Sequence, residues 1–293
     1  GIAAAADPAP PVNAAPGRPP HVLFIAVDDL NDWVGPLNGH PATRTPAMDR
    51  LAARGTTFLN AHCQAPICNP SRVAVLTGIR PSNTGVYGLT PGLRQTPAVR
   101  DRPTLLQWFA RHGYRTFSAG KVDHHGFRST GGPGLEVEHL GPAGGPGDIF
   151  PPRKHAGPTP MGNNPWVDWG AHPHDERKKG DHQVASWAVE QLAAMPGDRP
   201  FFMALGFFLP HVPAYVTPPW LDAIPKEGVL PPVLPGDRDD VPPFSWYLHW
   251  HVPEPRLTWM QEHDQWLPLV RAYLASIAWV DGQIGRVLDA LEA

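Results

Sequence analysis

The sequence predicts an α/β fold in which helices sandwich a largely parallel sheet. Apolar runs of strand length occur at residues 21–27, 56–60, 114–118 and 200–206. Segments with helical spacing of apolar residues lie between and after these runs. Such alternation implies parallel strands joined by helices that cover both faces of the sheet.

The first predicted unit runs from a strand through a helix to a second strand. Residues 21–27 are apolar without interruption, which is typical of a buried parallel strand. Pro46 suits the first turn of a helix that extends to Leu51, and Gly55 is a stop signal. Residues 56–60, Thr-Thr-Phe-Leu-Asn, follow as the second predicted strand.

The next two units repeat this pattern. Residues 103–112 are amphipathic and precede Gly113, which suits a helix end, and 114–118 then form a predicted strand. Asp181 is predicted to cap a helix that leads into the buried strand 200–206. Each strand therefore follows a helix, as parallel pairing requires.

The last helical pattern covers residues 268–292. Two long stretches without a clear pattern, 126–180 and 207–266, lie between the predicted elements. Irregular segments of this length are uncommon in compact domains unless they carry function. We therefore expect both to form walls of an active site.

Composition excludes some classes of protein. The net charge is −3 and no Lys/Arg-rich run occurs, so nucleic acid is not an expected partner. No apolar stretch reaches the roughly 18–20 residues of a membrane span. The Ala/Pro-rich residues 1–20 are predicted to be a disordered leader that remains after signal-peptide removal, which indicates a periplasmic or secreted protein. Cys63 and Cys68 could form a disulfide, but two cysteines do not fix the redox compartment.

The segment Cys-Asn-Pro-Ser-Arg at residues 68–72 opens a short apolar helix that Gly78 ends. We expect Pro70 at the first helical position, which places Cys68 just before the helix N-terminus, where an anion is favoured. Arg72 would add a fixed positive charge one turn into the helix. A buried structural cysteine is the alternative interpretation, but it does not explain Pro70 and Arg72.

Chemically distinctive side chains follow three of the predicted strands. Asp28 and Asp29 follow the first, and adjacent carboxylates repel each other unless a cation lies between them; a helix-capping or turn aspartate is the alternative. Lys121 and His124 follow strand 114–118, and His211 follows strand 200–206. Ligands of open α/β sheets bind at the carboxyl ends of the strands. We therefore expect these side chains to line one site.

Residues 68–72 resemble the type I sulfatase motif of the alkaline phosphatase superfamily. Four segments resemble its iduronate-2-sulfatase-like branch: VDDLNDW (27–33), APICNPSR (65–72), GKV-x-H (120–124) and YLASIAWVDGQIGR (273–286). The resemblance implies an alkaline phosphatase/sulfatase-like fold. It also implies a sulfuric ester hydrolase that releases inorganic sulfate from a sulfated sugar or glycosaminoglycan.

The resemblance further implies roles for individual residues. Cys68 would be oxidised to formylglycine by a formylglycine-generating enzyme, and a calcium ion would be held by Asp28, Asp29 and residue 68. Arg72 and Lys121 would neutralise sulfate oxygens. His124 would hydrogen-bond the formylglycine hydroxyl, and His211 would protonate the leaving alcohol.

This sequence departs from the family pattern in three places. Asp123 stands where an apolar or aromatic residue is expected, and Leu209 replaces a Lys or Arg that could bind an acidic sugar. The segments expected after 268–292, which carry further metal ligands and a C-terminal subdomain, do not follow. We therefore interpret 21–293 as the N-terminal part of a sulfatase catalytic domain, incomplete at its C-terminal side. As it stands, it is expected to bind calcium weakly and to release no sulfate.

Two other functions stay open from the sequence. Formylglycine-type phosphodiesterases and phosphonate monoester hydrolases share the Cys-x-Pro-x-Arg pattern, and a degenerate member could be a non-catalytic glycan-binding module. Tryptophans of the second long stretch could stack on sugar rings or form a hydrophobic seam. They are Trp220, Trp246, Trp250, Trp259 and Trp266.

Overall fold

The structure is a computed structural model that describes residues 19–127, 136–237, 239–245 and 255–293. Its strands are β1 (Val22–Val27), β2 (Arg115–Gly120), β3 (His139–Leu140), β4 (Trp169–Ala171), β5 (Phe201–Phe207) and β6 (Ala214–Val216). Four of them form a parallel sheet in the order β1-β5-β2-β3, and β4 pairs with β6 in parallel.

Helices separate the three long strands β1, β2 and β5, as the sequence predicts. The helices are α1 (Pro46–Ala52), α2 (Cys68–Thr77), α3 (Pro81–Thr84), α4 (Pro97–Arg100), α5 (Leu105–Arg111), α6 (Gly180–Ala193), α7 (Pro218–Asp222), α8 (Leu257–Glu262) and α9 (Trp266–Glu292). Short 3-10 helices occur at Gly35–Leu37 and Glu176–Lys178. The predicted α/β class with a parallel sheet between helices is confirmed.

The register of the sheet aligns the ends of three strands. Val27 of β1 pairs with Phe207 of β5, and Gly120 of β2 pairs with Gly206 of β5. The residues that follow β1, β2 and β5 therefore emerge side by side. This alignment brings together parts of the chain that are distant in sequence.

Helices cover both faces of the sheet. On one face, Met203 and Leu205 of β5 pack against α6 and α9 through Val184 and Trp279. On the other face, residues of β5 such as Phe202 pack with side chains of α2 and α5 in a second buried cluster. Residues of β5 are buried along the whole strand, as a continuous apolar run predicts.

The predicted strand at 56–60 is wrong. These residues form no strand, and Phe58 and Leu59 are 76% and 79% exposed. Because these apolar side chains stay exposed to solvent, a strand at 56–60 would gain no stability from their burial. β1 is confirmed as a parallel strand, but its residues are half-buried rather than buried because it lies at the edge of the described sheet.

Two helix starts differ from the sequence prediction. α2 begins at Cys68, so Pro70 is the third helical residue and not the first. Proline is tolerated there because the first backbone N–H groups of a helix have no intrahelical acceptor. Asp181 does not cap α6, because its carboxylate accepts hydrogen bonds from the backbone N–H groups of Phe208 and Leu209. The predicted ends at Gly78 and Gly113 are confirmed by positive φ angles of 70° and 85°.

The two long stretches are less irregular than predicted. They contain β3, β4, β6, α7 and α8. The described tryptophans of the second stretch, Trp220, Trp259 and Trp266, pack against buried clusters of this chain. Trp246 and Trp250, like residues 1–18 of the predicted leader, lie outside the described residues.

Asp281 of the VDGQIG segment has a structural role at the start of α1. It is 1% exposed, and its carboxylate accepts hydrogen bonds of 2.9 Å from the backbone N–H groups of Ala47 and Met48. A side chain of α9 thus satisfies free N–H groups in the first turn of another helix.

Candidate functional site

Asp28, Arg72 and Lys121 form a charged cluster where β1, α2 and β2 meet. One carboxylate oxygen of Asp28 lies 2.8 Å from Nη2 of Arg72, and the other is bonded by Nζ of Lys121. Arg72 also donates through Nη1 to the backbone carbonyl of Lys121. The two predicted cations therefore share one carboxylate.

The charges in this cluster stabilise one another. Asp28 and Arg72 are 4% and 9% exposed. Burial alone would raise the pKa of Asp28, but the positive charges of Arg72 and Lys121 outweigh it and hold this pKa below its usual value. Asp28 is therefore ionised at neutral pH, and the cluster of one carboxylate and two cations carries a net positive charge.

Cys68 lies in the first turn of α2, at the wall of a cavity of about 420 Å³. Asp28, Asp29 and Arg72 line the same cavity, and so does Cys63. Both cysteines are free, with Cys63 exposed and Cys68 partly buried. The cavity thus joins the predicted nucleophile position to the charged cluster.

The thiol of Cys68 is not activated. Burial raises its pKa above the ordinary value and outweighs the lowering effect of Lys121 and Arg72. A cysteine that acts as a nucleophile itself is held as a thiolate by a lowered pKa. The Cys68 thiol is therefore neutral at physiological pH.

Asp29 is held in an unusual backbone conformation by α9. Its φ of 58° lies in the left-handed region, which non-glycine residues adopt seldom. The Tyr273 hydroxyl donates to the Asp29 carbonyl at 2.6 Å and accepts from the Asn31 N–H at 3.0 Å. The Asp29 carboxylate remains largely exposed and lies 3.7 Å from Nε2 of His211.

His211 follows β5, as predicted, and faces the Asp29 side of the site. Its Nδ1 is hydrogen-bonded to the Val212 carbonyl, which fixes the tautomer with Nδ1 protonated and turns Nε2 toward Asp29. The Phe208 ring lies 4.9 Å from the His211 ring and 5.4 Å from Nζ of Lys121. Phe208 therefore packs next to both Lys121 and His211.

His124 lies on the other side of Lys121. Both residues line a second cavity of about 600 Å³ together with Asp123 and Trp187. Asp123 is 2% exposed, and its carboxylate accepts a hydrogen bond from the His125 N–H. The extra carboxylate noted in the sequence is therefore buried in the loop that carries His124, where burial raises its pKa.

The structure brings most, but not all, predicted residues into contact. Asp28, Arg72 and Lys121 touch one another, Cys68 shares their cavity, and Asp29 approaches His211. His124 lines the second cavity, and neither His124 nor His211 lines the cavity at Cys68. Residues of the stretch 126–180, such as Leu140 and Pro142, line the second cavity. The described part of 207–266 lines neither cavity and reaches the site through Phe208 and His211.

Other residues at the site carry weaker sequence signals. Leu209 is buried in the main hydrophobic core and lines neither cavity, so its side chain does not face a bound sugar here. Phe208 and Tyr273 were not predicted to act at the site. Tyr273 opens the 273–286 segment, which the family resemblance had marked without giving it a role.

Removing the Tyr273 hydroxyl tests the support of the Asp29 loop. Burial raises the pKa of Tyr273 to about 12, so the hydroxyl stays protonated and can donate. We expect Tyr273→Phe to lower the free energy of unfolding by about 1–3 kcal/mol, because two hydrogen bonds are lost. Urea unfolding measures this change, and amide exchange should become faster at Asn31. Tyr87→Phe, at an exposed tyrosine, is the matched control and should leave both unchanged.

The protonation of His124 gives a second test. Burial and the charge of Lys121 lower the pKa of His124 from 6.5 to about 4, so the ring is neutral at neutral pH. Between pH 6.5 and about 4, the unfolded chain binds a proton on His124 that the folded chain does not bind. The free energy of unfolding therefore falls as the pH drops through this range. An NMR titration should show a midpoint near pH 4, which Lys121→Met raises by removing a positive charge. An unchanged midpoint would contradict the contribution of Lys121.

The described residues do not complete a metal site. Among them, no group of three or more His, Cys, Asp or Glu side chains is arranged to hold a metal ion. Both carboxylate oxygens of Asp28 are bound by cations, and Asp29 adds a single carboxylate. Calcium prefers about six to eight oxygen ligands. Asp28 and Asp29 therefore fall short of a calcium site by themselves.

No helix within the described residues is long and apolar enough to cross a membrane.

Comparisons with known proteins agree on one family. The Sulfatase family model matches residues 20–293. A sulfatase from Formosa agariphila is 38% identical over 290 residues, which cover 93% of this chain and 55% of that protein. Iduronate 2-sulfatase from Homo sapiens is 30% identical over 93% of this chain and 51% of its own length. The chain spans about half the length of the curated relatives it matches.

The fold has a counterpart among solved structures. The phosphonate monoester hydrolase of Agrobacterium radiobacter superposes with a TM-score of 0.67 over 94% of this chain and 59% of that chain, at 19% identity. This likeness shows a shared fold. The family match over residues 20–293 and the 38% identity to a sulfatase show that the chain belongs to the sulfatase family.

Proposed function

We propose that this chain carries the nucleophile and sulfate-binding groups of a sulfuric ester hydrolase that releases inorganic sulfate from a sulfated sugar. The observation that carries the proposal is the position of Cys68. In a chain of the sulfatase family, Cys68 lies in the first turn of α2 and shares a cavity with the Asp28–Arg72 ion pair. A helix N-terminus and two nearby cations suit a sulfate group.

The state of the Cys68 thiol supports conversion to formylglycine. Its raised pKa makes the unmodified side chain a poor nucleophile. Hydrated formylglycine would supply one hydroxyl that attacks sulfur and a second whose deprotonation expels sulfate and restores the aldehyde, a step that serine or cysteine cannot take. We therefore propose a formylglycine-generating enzyme as the partner that modifies Cys68.

Arg72 and Lys121 would stabilise the charge that develops on the sulfate oxygens. Each already donates to Asp28, and the ammonium group of Lys121 retains donors for a sulfate oxygen. Their positions are fixed before substrate binds, because Arg72 also bonds the Lys121 carbonyl. Charge stabilisation by such pre-positioned donors is a large term in catalysis.

Two histidines would move the protons. His211 presents Nε2 beside the Asp29 carboxylate and, in its doubly protonated form, would donate the Nε2 proton to the leaving alcohol. His124 is neutral at neutral pH and would accept the proton of the second hydroxyl at residue 68. Lys121 lines the second cavity with His124 and also bonds Asp28, which lines the cavity at Cys68. We therefore propose that sulfate binds next to Lys121.

Asp28 and Asp29 would also supply ligands to a calcium ion. Their position directly after β1, next to Cys68, supports this proposal, although the described residues alone do not complete the site. Calorimetry with calcium tests the contribution of Asp29. Weaker binding by Asp29→Asn would support it, and unchanged binding would contradict it.

A sulfated sugar is the proposed substrate because a relative that is 30% identical over 93% of this chain is named iduronate 2-sulfatase. The buried Leu209 gives no support for a preference between acidic and neutral sugars.

The experiment has two arms. The protein that contains this chain is produced together with a formylglycine-generating enzyme, and the peptide that contains Cys68 is analysed by mass spectrometry. The same preparation is then assayed with an aryl sulfate and with an aryl phosphodiester. Formylglycine with faster sulfate hydrolysis supports the proposal. Faster phosphodiester hydrolysis would indicate the phosphodiesterase alternative, and an unmodified Cys68 without turnover would favour the glycan-binding alternative.

A further inference from the structure

Two oppositely charged side chains are buried behind the end of β5. Lys179 precedes α6 as its N-cap residue, and Asp181 is the second residue of that helix. Their exposed fractions are 2% and 1%. Charged side chains are seldom buried this completely unless an opposite charge or hydrogen bonds compensate them.

Asp181 binds the chain directly after β5. Its Oδ1 accepts a hydrogen bond of 2.6 Å from the Phe208 N–H, and Oδ2 accepts one of 2.9 Å from the Leu209 N–H. One carboxylate therefore fixes two successive peptide groups. His211 follows two residues after Leu209, and the Phe208 ring packs 4.9 Å from the His211 ring.

Lys179 supplies the compensating charge. Within the described residues its ammonium group has no hydrogen-bond partner, and it lies 3.8 Å from the centre of the Trp279 ring. Burial raises the pKa of Asp181 to about 6 and lowers that of Lys179 to about 7, and the charge of each side chain partly offsets this effect on the other. A small void is bordered by Lys179, Asp181 and Leu209. Glu176 adds a second negative charge that favours the protonated form of Lys179.

We infer that Asp181, with Lys179 as its counter-ion, is a positioning residue that fixes His211 for proton transfer to the leaving alcohol. The carboxylate holds the peptide groups of Phe208 and Leu209, so the Phe208 ring stays between Lys121 and His211. This inference rests on the proposed role of His211. It adds a buried pair that touches neither substrate nor the reacting atoms.

Asp181→Asn tests the inference, with Asp281→Asn as the matched control. Both aspartates are 1% exposed, and each accepts hydrogen bonds from two successive backbone N–H groups. An asparagine of the same shape keeps one acceptor and turns its NH2 group toward the second N–H. Both variants should lose stability, but only Asp181→Asn changes the chain next to His211.

Two readouts separate positioning from stability. In the protein that contains this chain, Asp181→Asn should lower kcat for an aryl sulfate by about 10- to 100-fold with little change in KM, because a displacement of about 1 Å at a reacting group costs up to about 100-fold. The NMR signals of the His211 ring should also shift, because the nearby Phe208 ring moves. Asp281→Asn should change neither kcat nor these signals.

The double variant Lys179→Met/Asp181→Asn gives a further control. Asp181→Asn removes the larger of the two negative charges that act on the buried Lys179. Lys179→Met leaves the buried Asp181 without the positive charge that favours its ionised form. The double variant removes both charges and should melt at a higher temperature than either single variant. Its kcat should nevertheless stay as low as that of Asp181→Asn, because the bonds to Phe208 and Leu209 are not restored.

The outcomes distinguish this inference from the proposed function. Wild-type kcat and unchanged His211 signals in Asp181→Asn would overturn the inference while the sulfatase proposal stands. Recovery of kcat together with stability in the double variant would mean that the pair is merely structural, which also overturns it. If the wild-type protein shows no turnover, the proposed function fails, and the His211 signals of Asp181→Asn and Asp281→Asn still decide whether Asp181 positions His211.

Discussion

Replacing Cys68 by alanine is expected to abolish sulfate release and to leave the fold intact. The side chain is small and lies in the first turn of α2 at the wall of a cavity, so its removal loses little packing. The chemistry, in contrast, loses the only group from which formylglycine can form at this position. Sulfate release from an aryl sulfate and thermal unfolding, followed by circular dichroism, measure the two effects.

Cys63→Ala is the matched control for this prediction. Cys63 lines the same cavity, but it is exposed and does not lie in the first turn of a helix. We expect this variant to keep its turnover and to carry formylglycine at position 68. Wild-type turnover in Cys68→Ala would show that residue 68 is not the nucleophile position.

Arg72→Met should have the largest combined effect on stability and turnover. The methionine keeps most of the side-chain volume but leaves the buried Asp28 carboxylate with Lys121 as its remaining partner. Breaking a buried ion pair in this way costs about 3–5 kcal/mol of unfolding free energy. We also expect kcat to fall by at least about 100-fold, because a fixed donor to the transition state is lost. Urea unfolding and steady-state kinetics measure the two changes.

The buried pair of Arg94 and Glu136 offers the control for Arg72→Met. These side chains lie 2.6 Å apart, are 7% and 6% exposed, and line neither cavity. Arg94→Met should therefore lower stability at least as much, while the protein that remains folded keeps its kcat. Equal losses of kcat in both variants would show that Arg72 acts through stability alone.

Much of the local structure could be predicted because its signals are local. Continuous apolar runs gave β1 and β5, and the stop signals at Gly78 and Gly113 marked helix ends. A further local signal was missed: Thr104 and Gln107 form a capping box that starts α5 at Leu105. Residues 56–60 were mistaken for a strand because a pattern of side chains does not show whether a partner strand is present.

The candidate site was predicted as a set of residues but not as a set of contacts. Asp28, Lys121 and His211 were expected together because parallel strands carry ligands at one edge. That Asp28 binds both Arg72 and Lys121 depends on the central position of β5 in the sheet and on the packing of α2. No pattern along the chain contains that information.

By itself, the sequence determined the alternation of strands and helices, the residues that follow each strand and the position of Cys68 at the start of a helix. These features depend on neighbours within a few residues. Tertiary structure alone decided the order of the strands, the pairing of Asp28 and the use of Asp181 and Tyr273. Those features join residues 93 positions apart for Asp28 and Lys121 and 244 apart for Asp29 and Tyr273. Their energies come from burial and from pairing of charges, which exist only once the sheet and its helices have assembled.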